Sequence, residues 1–446
     1  MISVFRNLWK SKRGNALVIA AASLPLVIGS AGLATDTVEW AMWKRQLQRT
    51  ADSAALAGVY GRLASQTVTT GACSLSSPIS TDLNSSHSDI NNRLGATPTC
   101  TVESPPATGT WAAAGFNAVK VTVSSQRGLS FSGLFMSTAP TITATATAAV
   151  VQSGRYCVVS LDNKTETGLS FSGSATVNLG CGLKTNAKGN SAVNGAGSST
   201  ITASPVAAVG QIANSGNFAS GTTFQPYSSP QADPFATVNA PASTTFPSGN
   251  CPAFRVNSNA SQSTLTVNSD YKAMSGASAG YYCMASMTLN GNVTLPSGVY
   301  VIDGGDLSIG SQANVTCSGC TFVLTNRSTS TTPTVGSVNM NGGATVTMSN
   351  STTGTYAGLL FYQDRRATAA NGNGQSNLIN GNSTSSYAGS MYFPSTNVTF
   401  NGTSGMSTAC VQLVAWQVSF TGNTSISNVC PGGQGGWDGS MVRLVV

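Results

Sequence analysis

Between Gly14 and Thr35 the chain runs 22 residues without a charged side chain. Leu17, Val18, Ile19, Leu24, Leu26, Val27, Ile28 and Leu33 make the stretch apolar. About 20 such residues are enough to cross the hydrocarbon core of a bilayer as a helix. Arg6, Lys10, Lys12 and Arg13 precede it, and the positive-inside rule puts the preceding segment in the cytoplasm and the bulk of the chain across the membrane. Trp9 lies before the stretch, and Trp40 and Trp43 lie after it, where interfacial anchors stand. Pro25 would kink the span, which membrane helices tolerate. The alternative is a secretory signal peptide cleaved after the small-x-small run Gly32-Leu33-Ala34, although the apolar run is longer than the usual roughly 7–15 residues.

The charge follows the same feature. The net charge is +7. Residues 1–50 hold seven Lys or Arg (the four above, Lys44, Arg45 and Arg49) against Asp36 and Glu39, which accounts for +5 of it. A nucleic-acid binder carries its basic stripe on a folded domain, so nucleic acid is not expected as a partner. His87 is the one histidine, which removes most His-based triads and multi-His metal sites. No metal or cofactor is expected.

From Glu39 to about Ser65 the sequence is rich in Ala, Leu, Gln and Arg without proline, and reads as the same helix continuing beyond the membrane. Leu47, Ala51, Ala54 and Gly58 share one face, a small-residue stripe that admits another element closely. The runs Arg13-Gly14-Asn15, Ala31 to Asp36 and Lys44 to Gly58 resemble the N-terminal module of TadE/TadG-like proteins of bacterial Flp (Tad) pilus assembly. The family motif maps here onto Gly14, Asp36, Leu47, Gln48, Ala51, Asp52, Ala54 and Ala55. The resemblance covers residues 10–60 and extends more loosely to 151, where Val119–Val123 and Thr141–Ala146 read as strands of a pilin-like module. It implies a bacterial inner-membrane protein, single-pass, with its bulk in the periplasm. It also implies other pilus or secretion assembly proteins as partners. Type IV prepilins are cut after a glycine with Glu five residues on; after Gly14 that residue is Ile19, which argues against pilin-style processing. The von Willebrand-type domain of TadG relatives finds no D-x-S-x-S counterpart here and is expected to be replaced.

All ten cysteines lie beyond the apolar stretch, which reads as disulfides in an oxidising compartment. Pairing of neighbours gives Cys73 with Cys100, Cys157 with Cys181, Cys251 with Cys283, Cys317 with Cys320 and Cys410 with Cys430. A redox-active reading of Cys317-Ser318-Gly319-Cys320 would need a helix N-terminus or a cation, and the flanks are strand-like.

Beyond Val151 only 10 basic and 8 acidic residues remain. Short β-runs alternate with Gly, Asn and Ser turns. Asn292-Val293-Thr294-Leu295, Asn314-Val315-Thr316-Cys317 and Asn397-Val398-Thr399-Phe400 repeat one frame. Val338 with Met340 and Val346 with Met348 repeat its apolar pair. The pairs that begin at Val293, Val315 and Val338 start 22 and 23 residues apart, a period that suggests a parallel β-helix, in which stacked coils share a core that one coil cannot bury alone. A β-sandwich remains open, and the repeat fades after about 350. Residues 203–285, with Pro226, Pro230, Pro234, Pro241 and Pro247, read as an insertion or long loop.

The expected fold is therefore mainly β with an N-terminal helix, in three parts. Residues 1–65 hold the cytoplasmic start, the transmembrane segment and the extended helix. Residues 66–151 form a pilin-like β module, and residues 152–446 a β-solenoid-like domain. The expected function is a non-catalytic, membrane-anchored part in Flp pilus assembly or anchoring, with cell-wall glycan as a further surface partner. The alternative is a β-helix protein that binds or cleaves polysaccharide, work that takes paired carboxylates. Asp364-Arg365-Arg366, the one charge cluster of this region, would either contact an acidic sugar or cap the solenoid.

Overall fold

A computed structural model of the 446-residue chain describes residues 12–84, 98–112, 117–275, 280–367, 376–380, 382, 384–402, 406–428 and 436–445. His87, Cys430 and the basic residues before Lys12 lie outside them. The chain divides into two units, Met1–Val151 with Met441–Val446, and Gln152–Ser440.

The first unit is built on one helix, α1 (Lys12–Leu63), whose 52 residues span about 78 Å at 1.5 Å each. It is followed by β1 (Gly71–Ala72), a short helix α2 (Ser77–Asn84), β2 (Thr99–Glu103), β3 (Ala118–Gln126) and β4 (Thr141–Ser160). The strands pair antiparallel in chain order. Alternation directs Val119, Val121 and Val123 of β3 and Ile142, Ala144, Ala146 and Ala148 of β4 to one face. The second half of α1 lies on that face and completely buries Leu47, Ala51, Ala54, Ala55 and Val59. Among the described side chains of the first half no large apolar group is buried: Leu24, Leu26, Val27 and Ile28 are each more than half exposed. A helix apolar on a solvent-facing surface for its first half and packed for its second is two devices in one element.

In the second unit the ladders are parallel almost throughout, as in stacked coils and unlike the antiparallel ladders of a sandwich. One coil holds Leu307–Ile309, Asn314–Cys317 and Cys320–Thr325. The next sets Val338–Met340, Thr345–Ser349 and Leu359–Gln363 on them, strand for strand. The β-helix-like expectation therefore holds in kind, but two details of the repeat change. Val293, Val315 and Val346 form one ladder, as do Leu295, Cys317 and Met348. Val338 and Met340 belong instead to another face, on Leu307 and Ile309, and Val398 is on that face too, against Val418. An apolar-polar-apolar triplet is the same on every face of a coil, so the frame alone does not say which face it occupies. The repeat also does not end near 350. It continues to Ser425–Asn428 with turns of unequal length between strands.

The order of the coils is not the order of the chain. One ten-stranded face runs Ile212–Ala213, Val193–Gly195, Leu169–Phe171, Val418–Gly422, Asn397–Gly402, and on through Ser376–Leu378, Val338–Met340, Leu307–Ile309 and Ser286–Leu289 to Ala253–Val256. The chain thus enters mid-stack, builds outward to residue 213, crosses to the far end near 253, and climbs back until its last coil meets its first. Phe400, Phe420 and Phe171 stack across that junction at centroid spacings of 5.1 and 5.0 Å. A second ladder runs from the half-buried Tyr282 through the buried Tyr300, Phe322, Phe361 and Phe393.

Residues 203–285 are accordingly not all outside the coils. Val206–Ala208 pairs with Gly182–Thr185, and Ala253–Val256 with Ser286–Leu289. Strands of two to four residues are too short to show alternation in the sequence. The proline-rich part, residues 226–250, is a strap that crosses coil after coil. Ser228 N–H donates to Ala208 O at 2.9 Å, Tyr392 O–H to Asp233 Oδ2 at 2.6 Å, and Tyr356 O–H to Asn239 O at 2.8 Å. Fixed φ and missing N–H groups suit proline to a chain that runs across a sheet face instead of joining its ladder.

Candidate functional site

The family-motif residues of α1 do their work at the helix–sheet contact. Small side chains let the sheet approach. A Cβ on Gly58 would stand 2.8 Å from Cγ1 of Val119 and 3.1 Å from Cδ1 of Ile79. The small-residue stripe is therefore filled by the protein's own strands and α2, and is not left open for a partner helix. Polar motif residues hold the rim. Gln48 Nε2 donates to Asp52 Oδ1 at 2.8 Å and to Thr145 O at 3.0 Å, and Lys44 Nζ donates to Thr143 O. These are backbone carbonyls of β4, so the rim contacts tie α1 to that strand. Gly14 lies within α1. Gly58→Val is expected to separate helix from sheet and destabilise the first unit by about 1–3 kcal/mol. Hydrogen exchange of β3 and β4 in the full chain reads this out, and unchanged protection would contradict the packing.

Asp36 stands where the apolar half ends and is buried. It accepts hydrogen bonds from Phe131 N–H at 2.8 Å and from Ser132 N–H and Oγ–H. The β3–β4 connection is thereby tied to α1. Trp43, expected as an interfacial anchor, is instead 7% exposed in the core, with the Arg127 guanidinium 4.7 Å over its ring. Trp40 is 46% exposed. The alternation of β4 brings Ile142 and Ala144 under this part of the helix, which is why Trp43 turns inward.

The Asp364-Arg365-Arg366 cluster binds the strap and a neighbouring turn. Arg365 donates through Nη1 to Val238 O at 2.7 Å and through Nη2 to Phe235 O. Arg366 donates to Asn326 O at 2.9 Å, to Ser330 O at 3.2 Å and to Asp364 Oδ2 at 2.7 Å. Burial works against the Asp364 carboxylate, yet hydrogen bonds from Arg366 and Thr325 outweigh it and hold its pKa below the ordinary value. A cavity of about 360 Å³ lies between the strap and the turn, with all three residues in its wall.

The other carboxylates of this unit are similarly engaged. Asp162 and Glu166 share the Gln417 amide at 2.7 and 2.9 Å, joining the first coil to the last. Asp306 accepts from Ser337, Asp270 from Thr266, Asp303 pairs with Arg327, and Asp438 pairs with Arg155. Four disulfides join Cys73 to Cys100, Cys157 to Cys181, Cys251 to Cys283 and Cys317 to Cys320. Of the expected pair Cys410–Cys430, Cys430 lies outside the described residues. Cys251, Cys283 and Asp303 come within 4.8 Å of one another. The two sulfurs are bonded to each other and the carboxylate to Arg327, so the donor set does not suit a metal ion.

The contact of Asp36 with Phe131 and Ser132 has no local signature, and the nearest signal was Asp36 itself, an acid at the boundary of an apolar run. The prolines marked the strap, but not the side chains it holds.

An exposed apolar half-helix joined to a packed α+β module is the class of protein defined so far, one with a candidate membrane span. Residues 14–64 match the family model described as "Putative Flp pilus-assembly TadE/G-like". The N-terminal region of this chain is a TadE/G-like pilus-assembly segment, and that supports a role in Flp pilus assembly. No curated protein and no solved structure matches the chain.

Proposed function

We propose that the protein is a non-catalytic component of Flp pilus assembly or anchoring, held in the bacterial inner membrane by the first half of α1, with its N-terminus cytoplasmic and its bulk periplasmic. The observation that carries this reading is the coincidence of the TadE/G-like match, residues 14–64, with α1. The matched segment contains both the exposed apolar half and the small-residue face that holds the folded module. Basic residues before the span and disulfides after it support the orientation. Its partners in this reading are the membrane and other pilus-assembly proteins, with the long parallel faces available to cell-wall glycan. Deletion of the gene is expected to abolish piliation, restored by the full chain but not by a form lacking 14–35. Normal piliation in the deletion strain would overturn it.

The charge cluster supports a structural part for the coils. Asp364→Ala removes the carboxylate that accepts from the Thr325 hydroxyl and pairs with the Arg366 guanidinium, which keeps its backbone acceptors. Because Arg366 is 30% exposed, the expected loss is about 2 kcal/mol, below the roughly 3–5 of a fully buried pair. Denaturant titration checks this. Unchanged stability with loss of turnover on an acidic glycan would favour the polysaccharide reading instead.

A further inference from the structure

Leu134, Phe135 and Met136 are 78%, 76% and 51% exposed. They are three consecutive apolar side chains at the tip of the β3–β4 connection. Contiguous exposed apolar surface of this kind marks a contact. The connection carries no charged residue from Gly128 to Pro140.

Its place on α1 says what the contact is. The Phe131 ring lies on the backbone of Gly32, where a Cβ would come within 2.3 Å of it. Asp36 receives the N–H groups of Phe131 and Ser132, and Ser130 Oγ–H donates to Glu39 Oε2 at 2.8 Å. The turn that follows is closed by Phe135 N–H to Ser132 O at 3.0 Å and Met136 N–H to Ser132 O at 2.9 Å. The tip is thus fixed beside the last turn of the uncharged stretch, which ends at Thr35. The apolar surface of the tip continues the apolar surface of the helix.

We propose that this connection is a second membrane contact. Leu134, Phe135 and Met136 enter the interfacial layer of the leaflet that α1 leaves, and a contact beside the helix axis fixes the rotation and tilt that one helix leaves free. The proposal rests on reading α1 as a membrane span. The occupant is lipid, because the adjoining surface of α1 at Leu24, Leu26, Val27 and Ile28 is also open and apolar.

The test is photocrosslinking of the full chain in phosphatidylcholine nanodiscs, with p-benzoylphenylalanine in place of Phe135, Ile28 or Leu75 in separate preparations. Leu75 is 63% exposed but lies in the turn beside α2. That helix packs its Pro78 against Gly61, about 44 Å along α1 from Gly32. Lipid adducts at 135 and 28 at least tenfold above those at 75 are expected. Lipid at 28 but not at 135 overturns this proposal and leaves the span standing. Lipid at neither position overturns the span and the proposal together. Crosslinking of position 135 to a second copy or another protein also overturns it, and assigns the patch to that partner.

Discussion

Replacing Phe420 with alanine is expected to cost the second unit about 3–5 kcal/mol, the range for a buried aromatic. Phe420 is 1% exposed and stacks between Phe400 and Phe171 at interplanar angles of 11° and 7°. It is therefore the joint at which the last coil closes on the first. In a stacked array each coil is stabilised mainly by its neighbours, so the loss should be directional. Hydrogen exchange in the full chain should accelerate most in 169–213, the coils built outward from the joint, and least in 286–349. Uniform acceleration, or a loss under about 1 kcal/mol, would contradict the coil order described above.

The second large effect is alkaline. Burial pushes the Tyr362 phenol up to about 12, and raises Tyr300, Tyr356, Tyr387 and Tyr392 further. A group whose folded pKa lies above its unfolded value contributes stability below the unfolded pKa and loses it as pH rises through the folded one. The tyrosine contribution is thus intact below pH about 10 and falls above it by up to about 1.4 kcal/mol per pH unit for each residue. All five act in the same direction above pH about 10. Lys184 acts oppositely. It is fully buried, donates to Ser440 O at 3.2 Å, and burial lowers its pKa to about 8. The unfolded chain therefore binds the extra proton between about pH 8 and 10.5, and stability rises with pH in that window by at most about 3 kcal/mol. Denaturant midpoints should climb from pH 8 towards 10 and collapse beyond. Lys184→Met should remove the climb and keep the collapse. A midpoint that stays flat to pH 11 would contradict the burial of the tyrosines.

Much of the first unit was legible in sequence because its signals are local. The uncharged run from Gly14, the Ala-rich face around Leu47 and Ala51, and the alternation of Val119, Val121 and Val123 each report a single element. What fills the small-residue face was not legible. Gly58 and Ala54 advertise close approach equally for a partner helix or for Val119 of the same chain. Trp43 was misplaced for a related reason, since a tryptophan just past a span suits the interface and the core alike, and only β4 decides between them.

In the second unit the class of fold was legible from the Asn-Val-Thr frames, and the coil order was not. Parallel stacking leaves every triplet of the Val338-Asn339-Met340 kind interchangeable between faces, and turns of unequal length hide the period. The meeting of Phe171 with Phe420, 249 residues apart, has no sequence pattern, because any buried aromatic at the same rung would serve. The prolines of 226–250 did report an extended segment outside the ladders. That this segment holds Tyr356, Tyr362 and Arg365, on and beside one strand, depends on its carbonyls, which sequence does not mark. The cluster Asp364-Arg365-Arg366 was visible for its charge, and its role follows from those same carbonyls.

Where the protein resides, and with what N-terminus, decides between a membrane anchor and a cleaved signal. Cells expressing the full chain should be fractionated, the membranes washed with high salt, and the intact mass of the protein measured. A single-pass anchor held by α1 predicts that the protein stays in the inner-membrane pellet and that its mass includes residues 14–35. A soluble protein whose mass begins after Ala34 would show the apolar segment to be a cleaved signal, and would contradict both the anchor and the membrane contact of the β3–β4 connection.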